Sequence, residues 1–320
     1  MGNLTVAIIG ASEYASNLGK KGTASDITLY NLKKSEDTVT FIEPTRYPER
    51  LAPLFFAVAM AEKAIVVVDE LNSTFGECLV MLQCARVTSG IFVLRNYISQ
   101  DKILPLIKGT CLEQFEFAQD NPAVLKERCL TEASQKTNCD AKSAFGTVPV
   151  DHAFSVKGVG TVVLGLVAEG AIKKHDDMKI LPGTKMVQLR SIQKHDDDFC
   201  LASAGDRVGL ALKNVDVKDV ERGTVLTTDP TVKASKTLET QATLVKYWQT
   251  PMKTGMVLHI GHWMQFLNCK VESATDDGDW HKANLMLALE KELVYYPGDE
   301  AVLTYLENGK LRVAGTITLP

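Results

Sequence analysis

The sequence predicts an α/β domain with a mostly parallel sheet and flanking helices, followed by two small β-barrels. Three observations carry that expectation. Strand and helix patterns alternate from residue 1 to about 145. Beyond that point no long amphipathic helix is convincing. Short β-rich runs then recur roughly every 8–12 residues, between glycines and polar turns. A chain of 320 residues also exceeds one ordinary core, at roughly 100–150 residues per domain. The expected divisions are 1–145, 146–230 and 231–320, with Asp229-Pro230 joining the two barrels.

The first domain opens on Leu4–Ile9, a short apolar run ending in Gly10. Asp26–Leu32 and Thr38–Ile42 are β-rich and flank the polar segment Lys33-Lys-Ser-Glu-Asp37, which reads as a hairpin turn. Pro48–Lys63 places Leu51, Leu54, Phe55, Val58 and Ala61 at helical spacing. Ala64–Val68 is a β-branched run of the kind buried on both faces of a parallel sheet. Thr74-x-x-Glu77 has the form of a capping box for a helix running to about Val87. Ile91–Leu94 reads as another buried strand, and Asn121-Pro122 opens a helix ending near Thr137. Strands alternating with helices in this way predict three layers around one sheet. From Thr147 onward the strand candidates are Gly160–Val167, Lys185–Leu189, Arg207–Leu212 and Thr224–Thr227. Glu239–Val245, Met256–Ile260, Asn284–Leu289, Ala301–Tyr305 and Leu311–Thr318 occupy the last third.

Composition excludes several classes. Hydrophobic residues make up 45% and charged residues 23%, as in ordinary globular proteins. No apolar run approaches the roughly 20 residues that span a bilayer. The start, Met1–Gly10, is apolar only briefly and has no basic leader, so it reads as a strand and a cytoplasmic location is expected. Cysteines 78, 84, 111, 129, 139, 200 and 269 are odd in number and form no C-x-x-C pair, which points to reduced thiols. His259-x-x-His262 with Cys269 lacks a fourth ligand at a convincing spacing, so no metal is expected. A net charge of −4 without a basic tail argues against a DNA-binding protein held by charge alone. RNA recognised through shape and chain ends stays open.

One stretch carries more than pattern: Val148-Pro-Val-Asp-His-Ala-Phe-Ser-Val-Lys-Gly-Val-Gly-Thr-Val-Val-Leu-Gly165. With it go Leu189-Arg-Ser-Ile-Gln193, Ala204-Gly-Asp-Arg-Val-Gly-Leu-Ala-Leu212 and Val220-Glu-Arg-Gly-Thr-Val-Leu226. In this order and spacing they resemble the second domain of the translational GTPases of the EF-Tu kind. Within that group the chain is most similar to the archaeal selenocysteine-specific elongation factor SelB and its EF-Pyl type. The resemblance implies a P-loop-GTPase-like first domain, two barrels, a soluble monomer, and aminoacyl-tRNA and the ribosome as partners. The EF-Pyl likeness alone suggests pyrrolysyl-tRNA.

Against that family, the first domain lacks its nucleotide signals. The loop G-x-x-x-x-G-K-[ST] surrounds phosphates with backbone amides, neutralises them with Lys and holds Mg²⁺ through a hydroxyl. Here Gly19-Lys20 is followed by Lys21, Tyr14 stands where the first glycine belongs, and Gly10 lies too far ahead. The D-x-x-G signal is Glu43-Pro-Thr-Arg46, with Tyr47 in place of the family's water-orienting His. The N-K-x-D signal is Arg95-Asn-Tyr97-Ile, with no Asp before Asp101. Too little chain separates Ile9 from Asp26 for a phosphate loop, a helix of several turns and a switch segment. No cofactor is therefore expected. GTP and Mg²⁺ belong only to the alternative of a divergent GTPase that completes its site with Lys20, Lys21 and Thr23. Gly19-Lys-Lys-Gly-Thr23 otherwise reads as a solvated basic loop, or a cradle for another phosphate such as an RNA backbone.

The second domain keeps more. The resemblance places an amino-acid pocket at Asp151, His152 and Arg207, where SelB-type factors have an Asp-His pair and an Arg. An Arg fork and an imidazole hold anionic or polar groups, and a carboxylate orients them. The bland alternative makes Asp151 a turn residue, His152 a hydrogen-bonded strand end and Arg207 part of an ion pair. Gln193 matches a family position near the terminal adenosine of tRNA. Tyr247, Trp248, His262 and Trp263 read as core aromatics before base-stacking ones. The functional expectation is an elongation-factor-like protein carrying a specialised aminoacyl-tRNA without GTP. A divergent GTPase, or a mimic that occupies the ribosome without tRNA, stands beside it.

Overall fold

A computed structural model describes residues 2–136, 145–309 and 311–320. Cys139 and the expected helix end at Thr137 lie outside the described residues. The first domain runs β1 (Asn3–Ile9), β2 (Lys20–Ala24), β3 (Thr28–Lys34), β4 (Asp37–Glu43), α1 (Ala52–Ala59) and β5 (Lys63–Val68). It continues through α2 (Ser73–Cys84), β6 (Gly90–Leu94), α3 (Gln100–Ile107), β7 (Glu116–Ala118) and α4 (Pro122–Gln135). Its seven strands lie in the order β2-β3-β4-β1-β5-β6-β7. From β4 to β7 all neighbours are parallel, whereas β2, β3 and β4 pair antiparallel.

The β-branched runs explain the three layers. Strands β1 and β5 are buried almost end to end, and successive side chains point to opposite faces. Ala7, Ile9, Val66 and Val68 pack into one core with α1 and α2. Val6, Ile8, Ile65 and Val67 pack into the other with α4. Asn121 caps α4 as its sequence suggests, accepting from the amides of Ala123 and Val124.

Two local expectations change. Helix α1 is shorter than Pro48–Lys63: its helix begins only beside Pro53, and Lys63 already opens β5. The cap of α2 is Asn72, whose side chain accepts from Phe75 N at 2.9 Å. Asn72, Ser73 and Thr74 are all cap-forming types, and Glu77 is unavailable to a capping box because it turns inward.

The second domain comprises β8 (Gly146–Val156), β9 (Gly160–Leu166), β10 (Glu169–Lys173), β11 (Asp177–Leu181) and β12 (Met186–Lys194). Strands β13 (Asp197–Phe199), β14 (Leu201–Ser203), β15 (Arg207–Lys213) and β16 (Val225–Thr227) complete it. A ring β8-β16-β11-β12-β15-β9 closes where β9 pairs with β8. The third domain is a closed barrel of β17 (Lys233–Leu244), β18 (Val257–His262), β19 (Gln265–Thr275), β20 (Asn284–Tyr295), β21 (Glu300–Thr304) and β22 (Val313–Thr318). Closure is how small β domains dispose of their open edges. Trp248 is buried in the last barrel, Trp263 only partly, and Tyr247 is exposed. His259 stacks on Phe266, His262 lies 3.2 Å from Asp299, and Cys269 is buried in the barrel core. No helix among the described residues is long and apolar enough to cross a membrane.

The first and third domains share a core. Met264, Val302 and Val313 pack with α1 and α2 residues. Phe55 lies 5.8 Å from Phe266 between ring centres. A Cβ on Gly261 would stand 2.6 Å from the Phe55 ring, so only glycine admits this approach. Over the same contact Arg312 forks onto Glu77 at 2.5 and 3.1 Å, and its backbone N–H donates to Glu77 at 2.9 Å. The hydroxyl of Tyr47 donates to Glu77 at 3.0 Å or to Thr74 O at 2.9 Å. Glu77 is 4% exposed, so removing its guanidinium strands a buried charge, which costs about 3–5 kcal/mol. Arg312→Ala should lower stability by about 3 kcal/mol in denaturant unfolding. The double change Arg312→Met with Glu77→Leu should recover most of it.

Candidate functional site at the seam of the first two domains

Several positions that the family resemblance sets at a nucleotide bond to groups of the chain itself. Gly10 (φ 98°) ends β1 so close to β5 that a Cβ would stand 2.1 Å from Val67 O. A single 3-10 turn, Tyr14–Asn17, then leads into β2. The carboxylate of Glu43, 6% exposed, accepts the N–H groups of Glu13 and, at 3.0 Å, of Ala15. Burial pushes the Glu43 carboxyl up, and these two amides pull it partly back. Tyr14 is buried, and its hydroxyl donates to Asp120 at 2.6 Å. Burial first, then Asp120, pushes that hydroxyl up. Arg95 donates to the other oxygen of Asp120 at 2.6 Å, reaches Asp69 at 3.4 Å and lies 5.0 Å over the Tyr14 ring.

The remaining positions of that set are dispersed. Arg46 is exposed, and Tyr97 points wholly into solvent from a left-handed pair with Asn96. Gly19 precedes β2, and Lys20, Lys21 and Thr23 lie in it. This segment is an edge strand and not the expected loop. Its backbone pairs with the open side of β3, with Lys20 opposite Asn31 and Lys21 opposite Tyr30.

The three predicted pocket residues of the second domain do come together. Asp151 has no exposed side-chain surface. Arg207 forks onto it, Nη1 to Oδ2 at 2.5 Å and Nη2 to Oδ1 at 2.9 Å. His152 Nδ1 lies 2.5 Å from Asp151 Oδ1, and an ionised carboxylate only accepts, so Nδ1 carries the proton. Burial alone would raise the Asp151 carboxyl, but the charge and hydrogen bonds of Arg207, aided by His152, hold it far below the carboxylate range. The β8–β9 register shifts between Val150 and His152, which lets both adjacent side chains serve one cluster.

Sequence reasoning missed the other half of the site. His152 Nε2 lies 3.1 Å from Ser25 Oγ of the first domain. Arg222 Nη1 bonds both oxygens of Asp26 at 2.7 and 2.9 Å, and Nη2 reaches Ser25 Oγ at 3.1 Å. Its Nε donates to Asp151 O at 3.0 Å, and Phe56 lies under its guanidinium at 5.0 Å. The only hint was an Arg beside Gly223 within Val220–Leu226. Asn3 Nδ2 to Gly205 O at 2.6 Å and Lys33 to Asp197 at 2.6 Å tie the same seam. His195 stands nearby, its Nε2 buried and unbonded among the described residues. Gln193 is not in the cluster: it is exposed and donates to Asp198 at 3.0 Å. A cavity of about 730 Å³ lies elsewhere, between α2 and strands β17 and β22, with mainly apolar walls and a paired Arg86–Glu300 at its side. Convergent charge marks the seam instead.

The seam sets an acid limit on stability. Burial, then Arg207 and Lys33, lowers the His195 imidazole below its ordinary 6.5. The unfolded chain therefore takes up this proton first, and stability present above pH 6.5 falls as pH drops through the folded value. Asp151 has a depressed carboxyl, so its share is lost only in stronger acid, below 3.8. His195→Asn, which keeps a side chain suited to the left-handed turn, should flatten the loss measured by unfolding midpoints between about pH 7 and pH 5.

Known proteins share this architecture. The family of elongation factor Tu domain 2 matches residues 160–227. Uncharacterized protein MJ0325 of Methanocaldococcus jannaschii is 35% identical over 316 residues, 98% of this chain and 99% of its own length. The selenocysteine-specific elongation factor of the same organism is 28% identical over 249 residues, 71% of this chain and 52% of that protein. The chain thus spans about half of the latter. The translation elongation factor SelB of Methanococcus maripaludis, in complex with a GTP analogue, has the same fold. Its TM-score is 0.80 at 21% identity, covering 100% of this chain and 79% of that one. With its domain order, its two closed barrels and these relatives, the chain belongs to the SelB/EF-Tu-like elongation factor family.

Proposed function

We propose that this chain binds a specialised aminoacyl-tRNA through its second and third domains and does so without ordinary GTP binding. The observation that supports the cargo is the Asp151–His152–Arg207 cluster at the seam, built on the buried Asp151. The guanidinium has five N–H donors and Asp151 engages two nitrogens, so donors remain for a polar group on the cargo. The imidazole, held at Nδ1 by Asp151, offers Nε2 as a second contact now taken by Ser25. The nucleotide half of the reading is supported by Glu43, whose carboxylate bonds the amides a phosphate would need. A phosphate there would meet a like charge in a buried site. Without hydrolysis, release depends on affinity or on a partner such as the ribosome.

Titration calorimetry with GTP and with GDP in the presence of Mg²⁺ should give no binding, checked by a fluorescent guanine nucleotide. Micromolar affinity would restore the divergent GTPase. Filter binding should show preference for charged over uncharged tRNA, with pyrrolysyl-tRNA tested beside another charged tRNA. His152→Ala and Arg207→Lys should each weaken charged-tRNA binding about tenfold, equivalent to 1.4 kcal/mol. Unchanged affinity in both would remove the pocket. Ribosome co-sedimentation with no preference for charged tRNA would favour the mimic.

A further inference from the structure

Arg222 is where the first and second domains exchange hydrogen bonds with the pocket, and its three nitrogens go to three different places. Nε holds the Asp151 carbonyl, Nη1 spans the Asp26 carboxylate, and Nη2 donates to Ser25 Oγ. We infer that Arg222 is a positioning residue that sets the orientation and hydrogen bonding of the His152 ring across the domain seam.

Proton placement decides how the ring is held. Asp151 is ionised and accepts from His152 Nδ1, so a neutral imidazole has a lone pair on Nε2. The partner of that lone pair is Ser25 Oγ at 3.1 Å, which has a single hydrogen to donate. Two other acceptors compete for that hydrogen: Asp26 Oδ1 at 3.0 Å and Ile27 O at 3.2 Å. Arg222 changes the competition in two ways. Its Nη1 occupies both Asp26 oxygens, weakening the carboxylate's claim on the hydroxyl. Its Nη2 donates into Ser25 Oγ, which fixes the oxygen and aligns its hydrogen away from the guanidinium. The Asp26 carboxyl is accordingly held low by Arg222 despite burial, which would raise it. Phe56 beneath the guanidinium keeps the plane from tilting out of these bonds. Lys at this position has no planar fork and cannot meet all three acceptors.

The inference rests on the cargo reading only for its binding arm. Imidazole nitrogen resonances of the full chain, with His152 assigned by loss in His152→Gln, are compared in wild type, Arg222→Gln, Arg222→Lys and Asp26→Asn. Arg222→Gln should move the His152 Nε2 signal while His281, in the third domain, stays. Asp26→Asn should move it in the same direction, and Arg222→Lys should not restore it. Charged-over-uncharged tRNA preference should fall about tenfold in Arg222→Gln. Unmoved His152 signals in folded Arg222→Gln and Asp26→Asn overturn the inference. A wild type with no charged-tRNA preference, but with His152 signals that respond as stated, sinks the cargo reading and leaves the positioning role standing.

Discussion

A carboxylate with no exposed surface, Asp151, stands at the seam of the first two domains and is kept ionised by Arg207 and His152 of its own barrel. An unpaired charge so deeply buried is not sustained. Arg207 supplies the opposite charge from β15, which pairs with the other side of β9 from β8. His152 adds a donor from the next residue, and the backbone oxygen of Asp151 takes Arg222. Arg222 then binds Asp26 and Ser25, so the pocket's second layer belongs to a different domain. Phe56 under that guanidinium is on α1, whose Phe55 packs against Gly261 and Phe266 of the third domain. One line of contacts thus runs from a buried charge through all three domains.

In the first domain, fold and candidate site rest on different residues. Its sheet is stabilised by two apolar cores, one on each face. The amides after β1 still need an acceptor once buried, and Glu43 provides it from the end of β4. Tyr14, Arg95 and Asp120 satisfy one another in the same manner beside the ends of β6 and β7. These polar groups at the carboxyl edge of the sheet are therefore bonded inside the chain.

How much of this was legible depended on the range of the interaction. Continuous β-branched runs announced β1, β5 and β6, and Asn121-Pro122 announced α4. Strand β2 was not readable, because Lys-Lys-Gly on a sheet edge has the composition of a loop and only its pairing with β3 makes it a strand. Helix α3 was missed because Pro105 lies inside it. Strands β13 and β14 are only three residues long each and resemble turns. Asp151, His152 and Arg207 were found through a resemblance, since nothing in their spacing shows that two residues 56 apart share a bond. Arg222 and Asp26 are 196 positions apart, and their pairing exists only once the domains dock. Gln193, a matching position on β12, faces solvent outside the cluster.

The segment from Glu43 to Pro48 is held at both ends. One end is anchored by Glu43 on the amides after β1. The other is anchored by Tyr47 on Glu77 and by Arg312 on the carbonyl of Pro48. A ligand shifts a conformational equilibrium only through contacts that differ between the two states. For a nucleotide to move this segment it would have to displace a buried carboxylate and then work against the Arg312–Glu77 pair. A group entering beside His152 has only the exposed Ser25 hydroxyl, itself held by Arg222, to displace from Nε2. If cargo binds at the seam, the cargo itself is the ligand able to alter how the first and second domains meet.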